Sequence, residues 1–343
     1  MRVECTNGYY IGEVNFRKIP HGKGTFYYND SSRYEGEWQS GEQHGKGAFF
    51  WSDGTRYVGE FHYSKISGQG TFYYANGSKY VGNWLSNKKN GKGTYYSANG
   101  NRYEGEWRDD KKHGFGIYFY KQQAARYEGE WRDGEKNGHG IVYYDDGRIE
   151  DCEWRNGKRH GRGVCTWPSG EKYDGEWYSG KKHGIGTYIF ENGDRYEGEW
   201  REERRTGQGK LYYADGTRYA GQWLNDGRHG RGTMYYSDSV YSGEWQYDER
   251  CGKGVIKGDS GWSYEGEWRD DKMHGQGTYV WISGARYVGE WHNDDMNGYG
   301  TYYWTDGDRY EGEWQNGQIH GHGTLYHTDG TFDRGEWRDG EKI

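Results

Sequence analysis

One short pattern recurs fifteen times along the chain, and thirteen of the copies carry tryptophan at the same place. A clear copy begins at Tyr103–Trp107 with the sequence Tyr-Glu-Gly-Glu-Trp, continues through a polar turn to His113, and ends in Gly114–Tyr118. Successive copies begin 22 to 24 residues apart. A fixed period in the twenties is typical of repeat proteins, in which each repeat contacts only its neighbours.

We therefore predict one continuous array over residues 1–343, with about fourteen full repeats, a C-terminal half repeat and a partial repeat at residues 1–9. The fifteen repeats begin near Tyr10, Tyr34, Tyr57, Tyr80, Tyr103, Tyr127, Glu150, Tyr173, Tyr196, Tyr219, Tyr241, Tyr264, Tyr287, Tyr310 and Asp333.

The composition favours a folded chain with an unusual core. Only 31% of the residues are hydrophobic, which alone would suggest disorder. However, 19% are aromatic, including 18 Trp and 37 Tyr, and disordered chains are poor in such residues. We expect aromatic rings laid along a sheet to replace a deep aliphatic core.

Several classes of protein are disfavoured by charge and patterning. A formal net charge of −7 gives no indication of nucleic-acid binding. No apolar run approaches 18 residues, and we identify no targeting segment. The four cysteines have irregular spacing and predict no disulfide framework, so we expect a reducing, cytoplasmic environment.

Each half repeat alternates with a period of two, which predicts a β-strand. In repeat 2, Tyr34, Gly36 and Trp38 share one face of the first strand. We expect Trp38 to lie opposite Gly45 and Tyr34 to lie opposite Phe49, so that rings rest on residues without side chains. The same register would place Glu37 opposite Lys46 and Glu244 opposite Lys253 on the other face.

Short turns join all these strands. Pairs such as Asn76-Gly77 tolerate positive φ and favour tight hairpins. The predicted fold is therefore all-β: an elongated, single-layer antiparallel meander of stacked hairpins, curved or twisted into a half-pipe. Fourteen hairpins and one further strand give 29 strands and, at ~4.8 Å per strand, a length on the order of 140 Å.

The pattern resembles the MORN repeat, whose usual form is Tyr-Glu-Gly-Glu-Trp, a polar turn, His-Gly-x-Gly and an aromatic second strand. The resemblance covers essentially the whole chain. It implies an elongated, twisted antiparallel sheet with an aromatic groove, and a scaffold role like that of the all-repeat cytoskeletal and ciliary members.

Three places depart from the repeat, and we expect bends or partner sites there. They are repeat 7, with Glu150, Cys152 and Cys165 for Tyr, Gly and an aromatic residue; repeat 11, with Cys251, Gly258 and the irregular stretch 259–262; and the link 121–125.

No motif predicts catalysis. Paired carboxylates such as Glu35 and Glu37 recur in almost every repeat, which is typical of a solvated face. Glycine pairs occur without the longer phosphate-binding pattern. We therefore predict no enzyme activity and no cofactor.

Eight histidines share one turn position, and we expect them to make hydrogen bonds within the turns: His21, His44, His113, His160, His183, His229, His274 and His320. Zinc binding near His320, His322 and His327, or near Cys152, Cys165 and His160, is a weaker alternative because neither group has a recognised ligand spacing. For Cys152 and Cys165, reduced thiols that fill space are the favoured interpretation. We predict no metal site.

Basic pairs occupy the turns within repeats: Lys88-Lys89, Lys111-Lys112, Lys158-Arg159, Lys181-Lys182 and Arg204-Arg205. They suggest an anionic membrane surface or an acidic partner. Ordinary polar turns are the alternative, since Asp109-Asp110 and Glu202-Glu203 dilute the charge.

Rings on the concave face are the strongest functional signal, since a single-layer sheet has no second layer to cover them. We expect them to stack and also to receive a partner; a purely structural role is the alternative. The predicted partner groove consists of Trp107, Tyr118, Trp131, Trp177, Tyr188, Trp200, Trp268, Tyr279 and Trp291.

The final half repeat suggests a second contact. Asp333, Gly335 and Trp337 would form an unpaired edge strand, and such edges invite association. We expect a homodimer through this edge.

Three functions follow in order of preference. The first is a non-catalytic scaffold in a cytoskeletal or ciliary (axonemal, radial-spoke-like) assembly, with protein partners along the groove and a location in the cytoplasm, cytoskeleton or cilium. The second is a peripheral membrane tether that binds acidic phospholipid weakly through the basic turns. An enzyme is the third.

Overall fold

The computed structural model describes all residues 1–343 and contains β-strands and turns but no helix. The chain forms two compact units. Unit 1 comprises residues 1–168 and 177–180, and unit 2 comprises residues 169–176 and 181–343. Because the chain has no helix, it also has none that is long and apolar enough to cross a lipid bilayer.

The strands are short and regular, mostly alternating between seven and nine residues. Those of unit 1 are β1 Arg2–Cys5, β2 Gly8–Val14, β3 Pro20–Tyr28, β4 Arg33–Gln39, β5 Glu42–Phe50, β6 Arg56–His62, β7 Lys65–Tyr73, β8 Lys79–Leu85, β9 Lys88–Tyr96, β10 Arg102–Arg108, β11 Lys111–Tyr120, β12 Ala125–Arg132, β13 Glu135–Tyr144, β14 Ile149–Arg155 and β15 Lys158–Thr166. The residues of β16 Lys172–Tyr178 are divided between the two units. Those of unit 2 are β17 Lys181–Ile189, β18 Arg195–Arg201, β19 Arg204–Tyr212, β20 Arg218–Leu224, β21 Gly227–Tyr235, β22 Ser239–Gln246, β23 Glu249–Gly258, β24 Ser263–Arg269, β25 Lys272–Val280, β26 Arg286–His292, β27 Asp295–Tyr303, β28 Arg309–Gln315, β29 Gln318–Tyr326, β30 Phe332–Arg338 and β31 Glu341–Lys342.

Within each unit, every strand pairs antiparallel with the strand before it and the strand after it in the chain. The predicted all-β meander of hairpins is confirmed. That residues 1–343 form one continuous array stays a prediction.

The count of 29 strands was wrong by two. Residues 2–5 form β1, which pairs with β2, and Glu341–Lys342 forms β31, which folds back onto Trp337 and Arg338. Both segments are too short to show a period-two pattern in the sequence.

The first tyrosine of each repeat forms the base of the core. Tyr196 is fully buried, and its hydroxyl donates to the backbone carbonyl of Glu199 at 3.0 Å. Its ring lies over Gly209, where an added Cβ would lie only 2.6 Å from the ring atom Cε2. The sheet therefore needs glycine there, and the prediction that rings bed on bare backbone is confirmed. Burial raises the pKa of the Tyr196 phenol well above its ordinary value.

A β-bulge changes the register within each repeat. In repeat 2, Tyr34 pairs with Phe49 as predicted, but Trp38 pairs with Gln43 and not with Gly45. The register shifts after Gly36, and Gly45 takes a left-handed φ of 58°, which favours glycine. The prediction of Trp38 opposite Gly45 was wrong because an alternation of apolar and polar residues does not reveal a bulge.

The bulge is held by the second glutamate of the pattern. The Glu199 carboxylate accepts a hydrogen bond at 2.7 Å from the backbone N–H of Gln208, next to the bulge residue Gly207. Gln222, Glu176 and Glu130 hold their own bulges in the same way.

The charge pairs predicted within repeats were therefore wrong as well. Glu37 lies opposite His44, and Glu244 lies opposite Cys251. Lys46 instead faces Glu60 of the next repeat. Lys253 likewise faces Glu267.

The turns within repeats and the turns between repeats differ in their backbone conformation. The turn within a repeat has positive φ at both central residues, as at Asp109 and Asp110. The turn between repeats has positive φ at no more than one residue, usually glycine, as at Gly77, where the Asn76 side chain accepts from the N–H of Ser78. The hairpin favoured at Asn76-Gly77 is present, with positive φ at its glycine alone.

Candidate functional site

Each tryptophan of the pattern packs onto the preceding repeat. Trp223 lies opposite Gly207, and its indole N–H donates to the carbonyl of Gly209 at 3.1 Å. Its ring stands edge-on between Tyr196 and Tyr219, at centroid distances of 5.3 and 5.2 Å. Because the indole packs between the buried phenols of its own repeat and of the preceding one wherever both repeats carry tyrosine, tryptophan links one repeat to the next.

A row of cations covers these tryptophans from outside. In eight repeats the side chain of Lys or Arg lies over the indole of the following repeat, with 3.9 to 4.7 Å between the charged group and the ring centroid. The members in unit 1 are Lys89, Lys112, Lys136 and Arg159; those in unit 2 are Lys182, Arg205, Arg228 and Arg250. Such contacts are strengthened by partial burial. We call these eight residues the cation row.

Most members of the cation row are matched by a carboxylate from the following turn. Arg205 donates from its backbone N–H and from Nε to Asp226, at 2.9 and 3.3 Å, and Nη2 donates to the Asp226 carbonyl. Asp248 and Asp271 clasp Arg228 and Arg250 in the same way.

The two lysines of this matched set, Lys89 and Lys182, are held less completely. Lys182 lies 3.5 Å from Glu203. For Lys89, the Asp110 carboxylate accepts from the backbone N–H and also acts on the charge of the ammonium group.

Two members have no carboxylate partner at all. The turns after Lys112 and Lys136 carry Gly134 and Gly157 where the five matched members carry an acidic residue, and no carboxylate contacts either ammonium group. Burial lowers the pKa of both lysines to about 8, and the nearby carboxylates of Glu135 at Lys112 and of Glu150 at Lys136 oppose this shift. This pair was not predicted from the sequence, where its signal is the glycine in those two turns.

Arg159 is also followed by a glycine but finds its partner within repeat 7. The buried Glu150 carboxylate lies 3.4 Å from Nη1 of Arg159 and 3.9 Å from Nη1 of Arg148. Glu150 thus replaces the buried tyrosine by a buried ion pair.

The thiols of Cys152 and Cys165 lie beside this ion pair, with 4.0 Å between the sulfur atoms. Both are buried and reduced. The hydrogen bond from Cys152 lowers the pKa of Cys165, and the nearby Arg159 guanidinium adds to this effect. The thiols fill the space that a Tyr ring and a second-strand aromatic residue occupy elsewhere.

Replacing Glu150 with glutamine should lower the free energy of unfolding by about 1–3 kcal/mol, because it leaves the charge of Arg159 without its buried partner. Urea denaturation followed by tryptophan fluorescence measures this. Glu265→Gln, at an exposed position without an ion pair, should change stability by less than ~0.5 kcal/mol. Equal losses for the two variants would show that the ion pair contributes nothing.

The nine residues predicted to line a partner groove fall into two groups. Five indoles are buried beneath the cation row: Trp107, Trp131, Trp177, Trp200 and Trp268. Trp291 is also buried, but the equivalent position in the preceding repeat is Met273 and no cation lies over it. The phenols Tyr118, Tyr188 and Tyr279 are half-buried and remain accessible at the surface. The groove stays a prediction, but its surface would consist of phenols and turn rings, with the indoles below.

Aromatic residues of the turns extend this surface. In unit 2, Tyr279, Trp281, Tyr302 and Trp304 form a continuous chain of tilted rings, with centroids 4.7, 5.1 and 4.8 Å apart. These rings, unlike the indoles of the pattern, are half-buried. Tyr279 was among the predicted groove residues, whereas Trp281, Tyr302 and Trp304 were not.

The opposite face of unit 2 carries a groove that the sequence analysis did not predict. It has a volume of about 1370 Å³, a floor of paired glycines such as Gly221 and Gly232, and walls of mixed charge. Small side chains at Ala220, Thr233 and Ser242 leave it open. The signal in the sequence was Ala220 and Ser242, where most other repeats carry Glu or Val.

The histidines of the turns were interpreted wrongly in part. The Nδ1 atoms of His44, His113, His229 and His274 are buried without a hydrogen-bond partner. The rings of His44, His229 and His274 pack instead against the following repeat, as His229 does on Tyr247 at 5.4 Å. No three histidine, cysteine or acidic side chains are grouped to hold a metal.

The basic turn pairs are neutralised in part, since Lys111, Lys158 and Arg204 form no ion pair. Lys88 lies 3.4 Å from Asp109, and Lys181 forms an ion pair with Glu202. The second member of each pair belongs to the cation row.

The predicted dimer edge lies in β30. Gly335 and Trp337 pair with β29, and Lys342 folds back to within 2.7 Å of Asp333. β31 pairs with β30 only at Trp337 and Arg338. The homodimer stays a prediction.

The other two irregular places have local explanations. Gly258 makes room for the indole of Trp262, which stacks parallel on Tyr279 at 6.1 Å. In the link 121–125, Ala124 takes a left-handed φ of 44° in place of the usual glycine. Bends at these places stay a prediction.

Comparison with known proteins identifies the repeat. The model of the MORN repeat family matches fourteen segments: residues 10–33, 34–56, 57–79, 80–102, 103–123, 127–147, 153–172, 173–195, 196–218, 219–239, 241–263, 264–286, 287–309 and 310–332. A search among curated proteins gave no match.

Solved structures show only a distant likeness. The TCP10 domain of Danio rerio CPAP, in complex with a STIL peptide, is 11% identical with a TM-score of 0.34, over 70% of this chain and 94% of that one. The Drosophila melanogaster SAS-4 TCP domain is 10% identical with a TM-score of 0.29, over 50% of this chain and 88% of that one. At these scores the likeness carries no functional argument. The family model, in contrast, matches fourteen repeats across the length of the chain, and the chain therefore belongs to the MORN-repeat family.

Proposed function

We propose that this chain is a non-catalytic scaffold that docks protein partners on its ring-bearing face, in a cytoskeletal or ciliary assembly. Its family makes it a repeat scaffold for protein or membrane interaction. The observation that carries the choice of protein is the surface over the indoles, where half-buried rings alternate with charged groups at a fixed spacing of about 10 Å, two strand spacings. Interface cores are enriched in Tyr, Trp and Arg.

Charge balance favours a protein over a bilayer. An anionic membrane attracts surfaces with an excess of Lys and Arg. In unit 2, Lys182, Arg205, Arg228 and Arg250 are each paired with a carboxylate of the following turn. Four paired cations leave no net positive charge there, whereas they still offer donors and acceptors to a polypeptide.

The proposal is tested by removing surface rings and following association. In a ciliated cell line, the tagged chain should remain in the detergent-insoluble cytoskeletal fraction, and Trp281→Gln with Trp304→Gln should reduce that retention several-fold. Ile282→Gln, at an exposed position in the same turn as Trp281, should leave it unchanged.

A membrane tether would behave differently. Purified protein that floats with phosphatidylserine vesicles in a salt-sensitive way, while the tagged chain is fully extracted by detergent, would contradict the scaffold and support the tether. The homodimer and the cytoplasmic, cytoskeletal or ciliary location belong to the same proposal, and fluorescence microscopy of the tagged chain tests the location.

A further inference from the structure

The geometry points to a carboxylate-binding site at Lys112 and Lys136 on the ring-bearing face of unit 1, which takes an acidic segment of a partner polypeptide. This inference rests on the proposed docking function and names the chemistry of one partner.

The first step is the missing counter-ion. In the cation row, Lys182, Arg205, Arg228 and Arg250 each contact a carboxylate of the following turn. Lys89 has Asp110 at that turn, and Arg159 has Glu150. Lys112 and Lys136 are the only members of the cation row whose ammonium group contacts aromatic rings but no acidic group.

The second step is the space left for a ligand. A Cβ atom added at Gly134 would meet nothing within 4 Å, and at Gly157 it would meet only the end of the flexible Glu135 side chain. In the matched repeats a carboxylate of this turn accepts from the backbone N–H of the cation-row residue, as Asp226 does for Arg205. No side chain accepts from the N–H of Lys112 or Lys136. An incoming carboxylate would therefore find the same donors that Asp226 finds.

The third step is the surroundings of the two ammonium groups. Lys112 Nζ lies 4.0 Å from the ring centroid of Trp131 and 4.5 Å from that of Tyr118. Lys136 Nζ lies 4.3 Å from that of Trp154 and 5.2 Å from that of Tyr120. Partial burial strengthens an ion pair formed there relative to one in water, and burial of both groups already disfavours their charged forms.

The spacing favours a polypeptide with several acidic residues. Lys112 and Lys136 occupy equivalent positions in consecutive repeats, two strand spacings or about 10 Å apart. Three residues of extended chain span the same distance. One acidic segment can therefore place a carboxylate on each lysine, whereas a single small anion reaches only one.

The test measures binding of a fluorescein-labelled deca-glutamate peptide to the full chain by fluorescence polarisation, with a deca-glutamine peptide for comparison. The variant Lys112→Met with Lys136→Met should bind deca-glutamate at least tenfold more weakly. Methionine is already accepted at this strand position, as Met273 and Met296 show. The matched control, Lys23→Met with Lys46→Met, removes the same charge from exposed positions on the opposite face and should change binding less than twofold.

A second variant keeps both lysines and fills the site. Gly134→Asp with Gly157→Asp should supply the absent carboxylates, since Asp226 and Asp248 take a φ of 73° at the same turn position. It should also weaken peptide binding at least tenfold. Unchanged binding in either double variant would overturn the proposal, as would binding to phosphatidylserine vesicles that depends on the two lysines while deca-glutamate does not bind.

The outcome is separable from the scaffold function. If cytoskeletal retention depends on Trp281 and Trp304 but deca-glutamate binding does not depend on Lys112 and Lys136, the scaffold function is supported and the carboxylate site is wrong. If the peptide binds at these lysines but retention is insensitive to the rings, the site stands and the docking face needs reassignment.

Discussion

Trp223→Ala should lower the free energy of unfolding by about 3–5 kcal/mol, the loss typical of a large buried aromatic side chain. Trp223 is 4% exposed and stands between Tyr196 and Tyr219. Its removal also takes away the hydrogen bond to the Gly209 carbonyl and the ring beneath Arg205. Because the contact joins two repeats, the loss should appear as weaker coupling between them in urea denaturation.

The matched control is Trp223→Phe, which keeps a ring at the site. Repeat 3 already uses Phe61 there, at 4% exposure and in edge-on contact with Tyr34 and Tyr57. The phenylalanine variant should lose less than half as much stability. If Trp223→Ala cost no more than Tyr247→Ala, at an exposed turn residue, the inter-repeat role of the tryptophan would be wrong.

Gly232→Ala should also be strongly destabilising, by about 1–3 kcal/mol, as overpacking is in well-filled cores. A Cβ atom at Gly232 would come within 2.5 Å of Cε2 of Tyr219. That ring is fully buried and its hydroxyl is held by the carbonyl of Gln222 at 3.0 Å, so it has no free direction in which to move.

The control lies in the same strand. Gly227 begins β21, and a Cβ atom there would meet nothing closer than 3.3 Å, from the exposed Asp248 side chain. Gly227→Ala should therefore stay within ~0.5 kcal/mol of the parent. Urea denaturation of both variants measures the difference, and equal stabilities would mean that the tyrosine ring does not rest on Gly232.

The sequence carried enough information for the class of fold and for the inside of each repeat. Period-two alternation predicts which side of each strand faces the rings, and Tyr34 does lie opposite Phe49. Glycine at Gly36 and Gly47 predicts a ring over bare backbone, and the Tyr34 ring lies there. These predictions depend only on short-range geometry within one hairpin.

Alternation alone could not predict whether each tryptophan packs on its own repeat or on the preceding one. Alternation alone gives Trp38 the partner Gly45, whereas the bulge after Gly36 shifts the register and leaves Trp38 opposite Gly22 of the preceding repeat. A bulge adds one residue without disturbing the polar pattern of the turn, so the pattern does not reveal it.

The candidate site was hidden for a related reason. In the sequence, a basic pair such as Lys111-Lys112 looks like part of one solvated turn. In the strand, however, consecutive side chains point to opposite faces, so the two lysines are separated. Lys112 lies over Trp131, nineteen residues later, while Lys111 faces solvent. Only the register between repeats shows which cations meet a carboxylate, and the absence of a partner for Lys112 follows from Gly134 in the next turn.

The central claim is that tryptophan of one repeat is locked onto the glycine backbone of the repeat before it. Twelve indole N–H groups donate to such glycine carbonyls: those of Trp38, Trp107, Trp131, Trp154, Trp177, Trp200, Trp223, Trp245, Trp268, Trp291, Trp314 and Trp337. The half-buried turn residues Trp51, Trp262, Trp281 and Trp304 lie outside this set.

Hydrogen exchange of the indole N–H groups, followed by nuclear magnetic resonance on protein labelled with ¹⁵N-tryptophan, tests that claim most directly. We predict that the twelve bound indoles exchange on the order of a hundredfold more slowly than the four in the turns, because they open only when neighbouring repeats separate. Exchange of the twelve at the same rate as the four would contradict the account.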